Sequence, residues 1–387
     1  MQVIPVENTK QIKQFHQVPF KLYADSPSWI PHVKQEVEAV FHAKSNTYFK
    51  HGVACRWILV DENKKCIGRI AAFINEKRAY TEKQATGGCG FFECINNQDA
   101  ANLLFNTAKN WLSERGMEAM DGPINFGERN KYWGLLVKGY NRPPNYGNNY
   151  HLPYYKELFE NYGFLPYFQQ YCFVRSAEKE LDKRYQEKAT RIRRNSDYRF
   201  SNMTEKPLLE YAGDFIAVYN EAWKTHSNFK PMKLSHAEKL LKSMKPIIDK
   251  RVAWFCYYKG EPVGFIINLP EINEIFKHNK GNMNLLGKLH FLFRKTFMPP
   301  KNLWAVVFGI HPKHQGKGLE GALFTQIRDD LEKGLPYENI FVSWIGSFNP
   351  KMLHIIRSVG AEDYQELCTY RYLFNPNAEF FPCPIIQ

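Results

Sequence analysis

Trp304-Ala-Val-Val-Phe-Gly-Ile310 runs into His311-Pro-Lys-His-Gln-Gly-Lys-Gly318, and Leu319 opens the segment that follows. The first run is apolar and rich in β-branched and aromatic residues, which predicts a strand. Beyond the loop, Leu319, Ala322, Leu323, Ile327 and Leu331 recur at helical spacing, and Gly334 is placed to end that helix. The stretch therefore reads as strand, Gly-rich loop and helix N-terminus. The first amides of a helix have no internal acceptor and carry partial positive charge. Gly316 and Gly318 allow a close backbone approach to an anion, and Lys313 and Lys317 add charge. The spacing is neither that of a Walker A loop nor that of a dinucleotide fingerprint. Taken alone, it fits a tight βα turn as well as a phosphate site.

The order of elements around this loop occurs twice. In the first half, Cys55–Val60 and Cys66–Ile74 read as a strand pair around Asp61–Lys65, and Gly90–Ile95 as a third strand. A helix follows with Ala101, Leu104, Phe105, Ala108, Trp111 and Leu112 on one face and Gly116 at its end. Met117–Ile124 is a strand, Tyr154–Tyr162 a helix closed by Gly163, and Pro166–Val174 a last strand. In the second half, Val252–Tyr258 and Pro262–Leu269 pair around Lys259-Gly260, followed by Leu303–Ile310 and the Leu319 helix. Asn339–Ile345, the helix Pro350–Ser358 with Gly360, and Tyr364–Phe374 complete it. The fold class expected is α/β, of the mixed α+β kind, with two tandem domains, each a mixed sheet flanked by helices. Expected boundaries are 1–178, with an inserted loop at 125–150, a linker at 179–197, and 198–387, with an insertion at 277–301.

With the repeat in view, Gln315-Gly316-Lys317-Gly318-Leu319-Glu320 resembles the acyl-CoA pyrophosphate loop of the GNAT superfamily of N-acyltransferases. Asn349, at the start of the next helix, and Gly360-Ala361, at its end, resemble further landmarks of that family. The resemblance covers most of residues 198–374. It implies an N-acyltransferase that uses acetyl-CoA or another acyl-CoA and a small-molecule or peptide amine as acceptor. By the same resemblance, backbone groups of Val307, Phe308, Gly309 and Ile310 would pair with the pantetheine arm. Amides of Gln315, Gly316, Lys317, Gly318, Leu319, Glu320 and Gly321 would hold the pyrophosphate, and Asn349 would lie near the thiol end.

Two positions depart from the family. Glu320 stands where Gly or Ala is usual, and a carboxylate there repels a nearby phosphate unless it points away. Ile356 stands where a Tyr often protonates the leaving thiolate, and an aliphatic chain donates no proton. The first half keeps Gly163-Phe164 but replaces the loop by Glu93-Cys-Ile-Asn-Asn-Gln-Asp-Ala-Ala101. Asp99 would occupy the phosphate position and cap the helix itself. The chain is thus similar to bacterial tandem members of the superfamily in which the first half is degenerate. A CoA-binding regulator on the same scaffold, or a transferase of aminoacyl or long-chain acyl groups, are the alternative readings.

The inserted loop mixes Gly, Pro, Asn and aromatic residues, and rigid scaffolds often present function on such loops. Glu128, Arg129, Tyr132, Trp133, Tyr150 and Tyr155 are candidates to line an acceptor pocket, or else a self-packed cover of the sheet. Glu221, on a helix with Tyr219 and Trp223, is the candidate general base, although a surface glutamate is the commoner outcome. The 277–301 insertion carries Lys277, Lys280, Lys288, Arg294, Lys295 and Lys301 and no acid. Leu285, Leu286, Leu289, Leu292, Phe293 and Phe297 are interleaved. The ordinary expectation is a helix with its apolar face on the core and its basic face in solvent. Contact with a membrane surface, or with CoA phosphates, is the alternative.

Composition bounds these readings. The 387 residues carry 52 Lys+Arg against 39 Asp+Glu, a net +13, with 44% hydrophobic and 24% charged residues. That excludes a disordered, collagen-like or small disulfide-framed chain. Met1–Lys10 has no apolar leader and no stretch reaches the ~20 apolar residues of a membrane helix, so a cytoplasmic protein is expected. The eight cysteines form no C-x-x-C and no zinc spacing, so they read as reduced core residues with no metal site. Most of the basic excess lies in 188–199 and 277–301. Aromatic residues for base stacking are sparse in the 179–199 run, so nucleic acid is not the expected partner.

Overall fold

A computed structural model describes residues 1–224 and 229–386. The strands are β1 Gln2–Pro5, β2 Gly52–Val60, β3 Cys66–Asn75, β4 Thr86–Cys94, β5 Ala119–Gly122, β6 Leu135–Lys138 and β7 Leu165–Ser176. They continue with β8 Tyr198–Asn202, β9 Ala253–Tyr258, β10 Glu261–Pro270, β11 Asn302–Ile310, β12 Asn339–Gly346 and β13 Glu362–Leu373. The helices are α1 Thr9–Leu22, α2 Lys34–Val40, α3 Glu76–Ala79, α4 Gln98–Ser113, α5 Tyr154–Tyr162 and α6 Lys183–Arg194. They continue with α7 Tyr211–Ala222, α8 Leu234–Met244, α9 Asn273–Phe276, α10 Leu285–Phe297, α11 Leu319–Glu332 and α12 Pro350–Ser358. The expected order recurs as β2-β3-β4-α4-β5-α5-β7 and β9-β10-β11-α11-β12-α12-β13, with β6 added in the first half. The fold is therefore the mixed α/β sheet with flanking helices that the repeat implies.

Local chemistry fixes the punctuation. Lys259 and Gly260 both have positive φ, 49° and 90°, the geometry that a tight two-residue hairpin requires. Gly163 and Gly360 are left-handed at the ends of α5 and α12. In both, the next amide bonds back to the helix, Phe164 N–H to Phe159 O at 3.1 Å and Ala361 N–H to Ile356 O at 3.2 Å. β4 starts four residues before the expected Gly90, because Gly87, Gly88 and Gly90 are strand residues under close packing. A Cβ on Gly90 would lie 1.9 Å from Ile124 O, and one on Gly88 2.3 Å from the Phe73 ring.

Two compact units emerge, with boundaries that differ from the expected ones. Unit 1 holds residues 1–171, 273–296 and 364–384; unit 2 holds 172–272, 297–363 and 385–387. The expected linker contains α6, and this helix has a buried face in unit 2. Ala189 and Ile192 are buried, and Gly318 of α11 lies too close to Lys188 to admit a Cβ without a 2.7 Å contact. Much of the 277–301 insertion groups with unit 1, where Lys34 N–H donates to Gly281 O at 2.8 Å and Met283 N–H to Gln35 Oε1 at 3.1 Å. The inserted loop at 125–150 is not wholly irregular, since it contains β6.

Within unit 1 the strand order is β1-β2-β3-β4-β5-β13, with β6 also on β13. α4 packs on β3 and β4, and Phe92 stacks on Phe105 at 4.4 Å. The second half thus gives its last strand to unit 1, in antiparallel register from Tyr370↔Gly122 to Leu373↔Ala119. An ion triad centred on the buried Arg371 secures it. Arg371 binds Asp121 at 2.6 and 2.9 Å and Glu82 at 2.7 Å. Within unit 2 the order is β12-β11-β10-β9-β8, with α7 on β10 and β11 and α11 against β9 and α6. β11 and β12 are parallel and joined by α11, the crossover that parallel strands need. No disulfide forms among the described residues, and six of the eight cysteines are buried.

Removing the Arg371 guanidinium would leave Asp121, whose side chain is only 16% exposed, without its partner. Arg371→Met is expected to cost about 3–5 kcal/mol in urea unfolding. A loss under about 1 kcal/mol, the range of an exposed pair, would contradict this anchoring.

Candidate functional site

Both units break the same parallel pair in the same way. In unit 2, β11 and β12 are in register only from Asn302↔Asn339 to Ala305↔Val342. β11 continues to Ile310 along β10, and its register skips Val306, since Ile267 faces Val307 while Asn268 faces Ala305. Val306 is the extra residue of a β-bulge, a device that bends a strand and re-aims its groups. Past this bulge no strand among the described residues pairs with the other edge of β11. In unit 1, β4 and β5 pair only from Thr86↔Ala119 to Gly88↔Asp121. β4 is likewise bulged next to Phe91, whose φ is 50°.

The two openings differ in what fills them. In unit 1 the chain itself closes the gap, with Ile124 N–H donating to Cys89 O at 2.8 Å. The helix beyond is capped by Asn97, whose side chain accepts from Ala100 N–H at 2.8 Å. Asn97, not the expected Asp99, is the cap; Asp99 lies in the first turn.

In unit 2 the loop after β11 stays open. Gln315 folds back on the end of the strand, its N–H donating to Pro312 O at 3.3 Å and its Nε2 to Ile310 O at 3.0 Å. From Gly316 to Gly321 no amide donates a hydrogen bond among the described residues, and the first helical bond runs from Ala322 to Gly318 O. Gly316 has φ 72° and open space about it, and Gly318, the N-cap of α11, has φ 103°. Lys313 and Lys317 are exposed beside this run. Burial first, and then the charges of Lys317, His311 and Lys313, lower the His314 pKa, as a positive local field would. Glu320 is buried in the first turn. Gly318→Asp would be a poor probe of this loop, because its Cβ would meet Lys188 backbone as well as strain φ.

The remaining unit 2 candidates fall in different surroundings. Val307 packs on the α7 cluster with Tyr219 and Trp223, and Gly309 faces Trp223 at a distance that leaves no room for a Cβ. Phe308 approaches Phe324 of α11, with 6.2 Å between ring centroids. Asn349 is the N-cap of α12, accepting from Met352 N–H at 3.1 Å, so its oxygen is in use. Ile356 is buried. Glu221 lies about half a turn round α7 from the Tyr219–Trp223 face and pairs with Lys224 at 3.7 Å. That is the commoner outcome for a glutamate, and the geometry lends the general-base expectation no support.

Unit 1 holds a buried polar cluster that sequence reasoning missed. Arg69 and Glu93 face each other across β3 and β4, 3.5 Å apart. Tyr23 and Tyr155 donate their hydroxyls to the same Glu93 oxygen, the latter at 2.8 Å. His151 accepts Leu136 N–H on Nδ1 at 3.1 Å, and Arg69 donates to Phe15 O at 3.0 Å. Arg69, Glu93 and His151, with His16, His32 and Tyr150, border a cavity of about 30 Å³, room for roughly one water. Of the six acceptor candidates, Tyr150 and Tyr155 join this cluster. Tyr132 meets His32 edge to face, 4.5 Å between ring centroids, and donates to Glu36 at 3.3 Å. Trp133 is buried, with the exposed Arg129 over its ring at 5.7 Å, while Glu128 accepts from Tyr48 at 2.8 Å. The available signal was a single Arg and a single Glu in otherwise apolar strands.

Burial dominates the ionisation of this cluster. It lowers the His32 pKa to about 4 and the His151 pKa to about 3, with the Arg69 charge adding to both. Burial raises the Glu93 pKa against the opposing pull of Arg69. A histidine with a depressed folded pKa takes up its proton first in the unfolded chain. The stability it confers is full above pH ~6.5 and is lost as pH falls toward the folded value. Unfolding free energy is expected to drop by on the order of 2–4 kcal/mol between pH 7 and pH 5. A flat urea-denaturation profile over that window would contradict two buried neutral histidines.

No family model matches the chain. It is 27% identical over 382 residues to "Bacterial ceramide synthase" of Caulobacter vibrioides (strain NA1000 / CB15N), covering 96% of each chain. It is 24% identical over 375 residues to "Protein YghO" of Escherichia coli (strain K12), covering 94% of this chain and 93% of that protein. Among solved structures it resembles a tandem GNAT protein from the clavulanic acid biosynthesis pathway, with TM-score 0.54 and 10% identity, over 97% of this chain and 99% of that one. It also resembles the GCN5-related glucosamine N-acetyltransferase region of a fungal multi-domain GH3 β-N-acetylglucosaminidase. There the TM-score is 0.54 and the identity 10%, over 96% of this chain and 38% of that one. With its repeated element order and twice-broken parallel pair, the chain has the GNAT fold in tandem form.

Proposed function

We propose that this protein is an acyl-CoA-dependent N-acyltransferase whose acceptor is a long-chain amine. The observation that carries the donor half is the run of amides from Gly316 to Gly321 without an acceptor, at the N-terminus of α11. Such a run binds a diphosphate through backbone donors and the helix dipole, with Lys313 and Lys317 supplying charge. The edge of β11 beyond Val306 has backbone groups placed to hold an extended arm as an added strand would. When bound, acyl-CoA supplies an activated thioester carbonyl for attack by the amine. Ile356 offers no proton at its buried position, so the leaving thiolate is protonated by another group or by water.

The acceptor class rests on the relative from Caulobacter vibrioides. A ceramide is an N-acyl derivative of a long-chain amino alcohol, so that protein's name describes acyl transfer to a long-chain amine. Similarity over almost all of both chains supports the same reaction class here. A second reading, a CoA-binding regulator on this scaffold, is favoured by Ile356 alone.

Thiol release by the full chain is the test, with acetyl- to palmitoyl-CoA as donors and a short amine, a peptide amine and a sphingoid base as acceptors. Turnover with the sphingoid base is expected. Lys317→Glu should raise the donor KM roughly tenfold, the worth of one charge-assisted contact, without a change in Tm. CoA binding without thiol release would favour the regulator, and no CoA binding at all would overturn both readings.

A further inference from the structure

α10 is built inside out. Leu285, Leu286, Leu289, Leu292, Phe293 and Phe297 are 74, 74, 56, 55, 55 and 70% exposed. At 3.6 residues per turn they form one continuous stripe along the helix. The opposite face is the one held to the protein. Phe291 is buried against Phe276 at 5.5 Å, and Gly287 O accepts from Asn279 Nδ2 at 3.2 Å. Gly287 also approaches Asn282 O too closely to admit a Cβ, and His290 hydrogen-bonds Asn279. The orientation is therefore fixed by packing, and it turns the apolar stripe to solvent. This reverses the expected arrangement, in which the leucines would face the core.

Charge decides what covers the stripe. Lys288, Arg294 and Lys295 flank it on the helix, Lys277 and Lys280 precede it, and residues 275–301 contain no Asp or Glu. An apolar stripe with cationic flanks and no acid matches an interface of acyl chains below anionic headgroups. No helix among the described residues is long and apolar enough to cross a membrane, so this contact would be with the surface. We propose that α10 docks this protein on the surface of a bilayer containing anionic phospholipid. The stripe enters the acyl boundary while the lysines meet the headgroups. Nothing in this rests on the acyl-transfer reading, and its test needs no turnover.

The experiment is sedimentation of the full chain with phosphatidylcholine vesicles, with and without phosphatidylglycerol, at low and high salt. Binding to the anionic vesicles is expected, weakened by salt because the headgroup attraction is screened. Leu286→Ser with Leu289→Ser should lower the partition coefficient roughly a hundredfold, about tenfold per leucine. The Tm should not change, since both side chains are in solvent. Lys288→Gln should lower it roughly fivefold. Absence of vesicle binding, or equal binding by the double serine variant, overturns the proposal. So does a wild-type dimer in light scattering that the double variant abolishes, since a second copy would then be the occupant.

Discussion

The pairing of β11 with β12 ends at Ala305↔Val342, and the architecture of unit 2 turns on that break. Two parallel strands joined by a helix would ordinarily satisfy each other along their length. Here the bulge at Val306 turns β11 away, so its outer edge loses its neighbour while its inner edge stays on β10. The same break delivers the chain to α11 through Gly316 and Gly318, both left-handed. The amides that follow are then left without acceptors at the positive end of a helix. A strand edge and a helix terminus are thus opened by one local departure from regular pairing. Unit 1 makes the same departure at Phe91 but closes it with its own Ile124 amide.

Much of this was legible in the sequence, for reasons that are local. The Gly/Lys loop lies between an apolar run and a helical stripe, and each signal needs only a few neighbouring residues to be read. The repeat made the element order readable twice, and the helix-ending glycines Gly163 and Gly360 are left-handed as their positions implied. Thr86–Cys89 lies outside the strand expected at Gly90–Ile95, because glycine has little strand propensity. It is strand because Ile124 and Phe73 leave no room for a Cβ.

What was not legible depends on contacts distant in sequence. β13 carries the signature of any half-buried strand, and its pairing with β5, held by Arg371 on Asp121 and Glu82, rests on contacts distant in sequence. Glu93 depends on Tyr23, Arg69 and Tyr155, drawn from three other segments of unit 1. The six candidates for an acceptor pocket, Glu128 and Arg129 among them, lie in or next to the inserted loop, yet Tyr150 and Tyr155 join the Glu93 cluster. Periodicity gave α10 an apolar face but not its direction. Helical spacing is the same whether the stripe meets a core or solvent, and the anchor that settles it is Phe291 on the other side.

The anion cradle proposed for this fold is the run of amides from Gly316 to Gly321. Hydrogen–deuterium exchange across 311–324, with and without CoA, measures those groups directly. Saturating CoA is expected to slow exchange at these amides and to leave the matching helix start at 97–101 in unit 1 unchanged. Calorimetric binding of CoA with no change in exchange across 311–324 would contradict it.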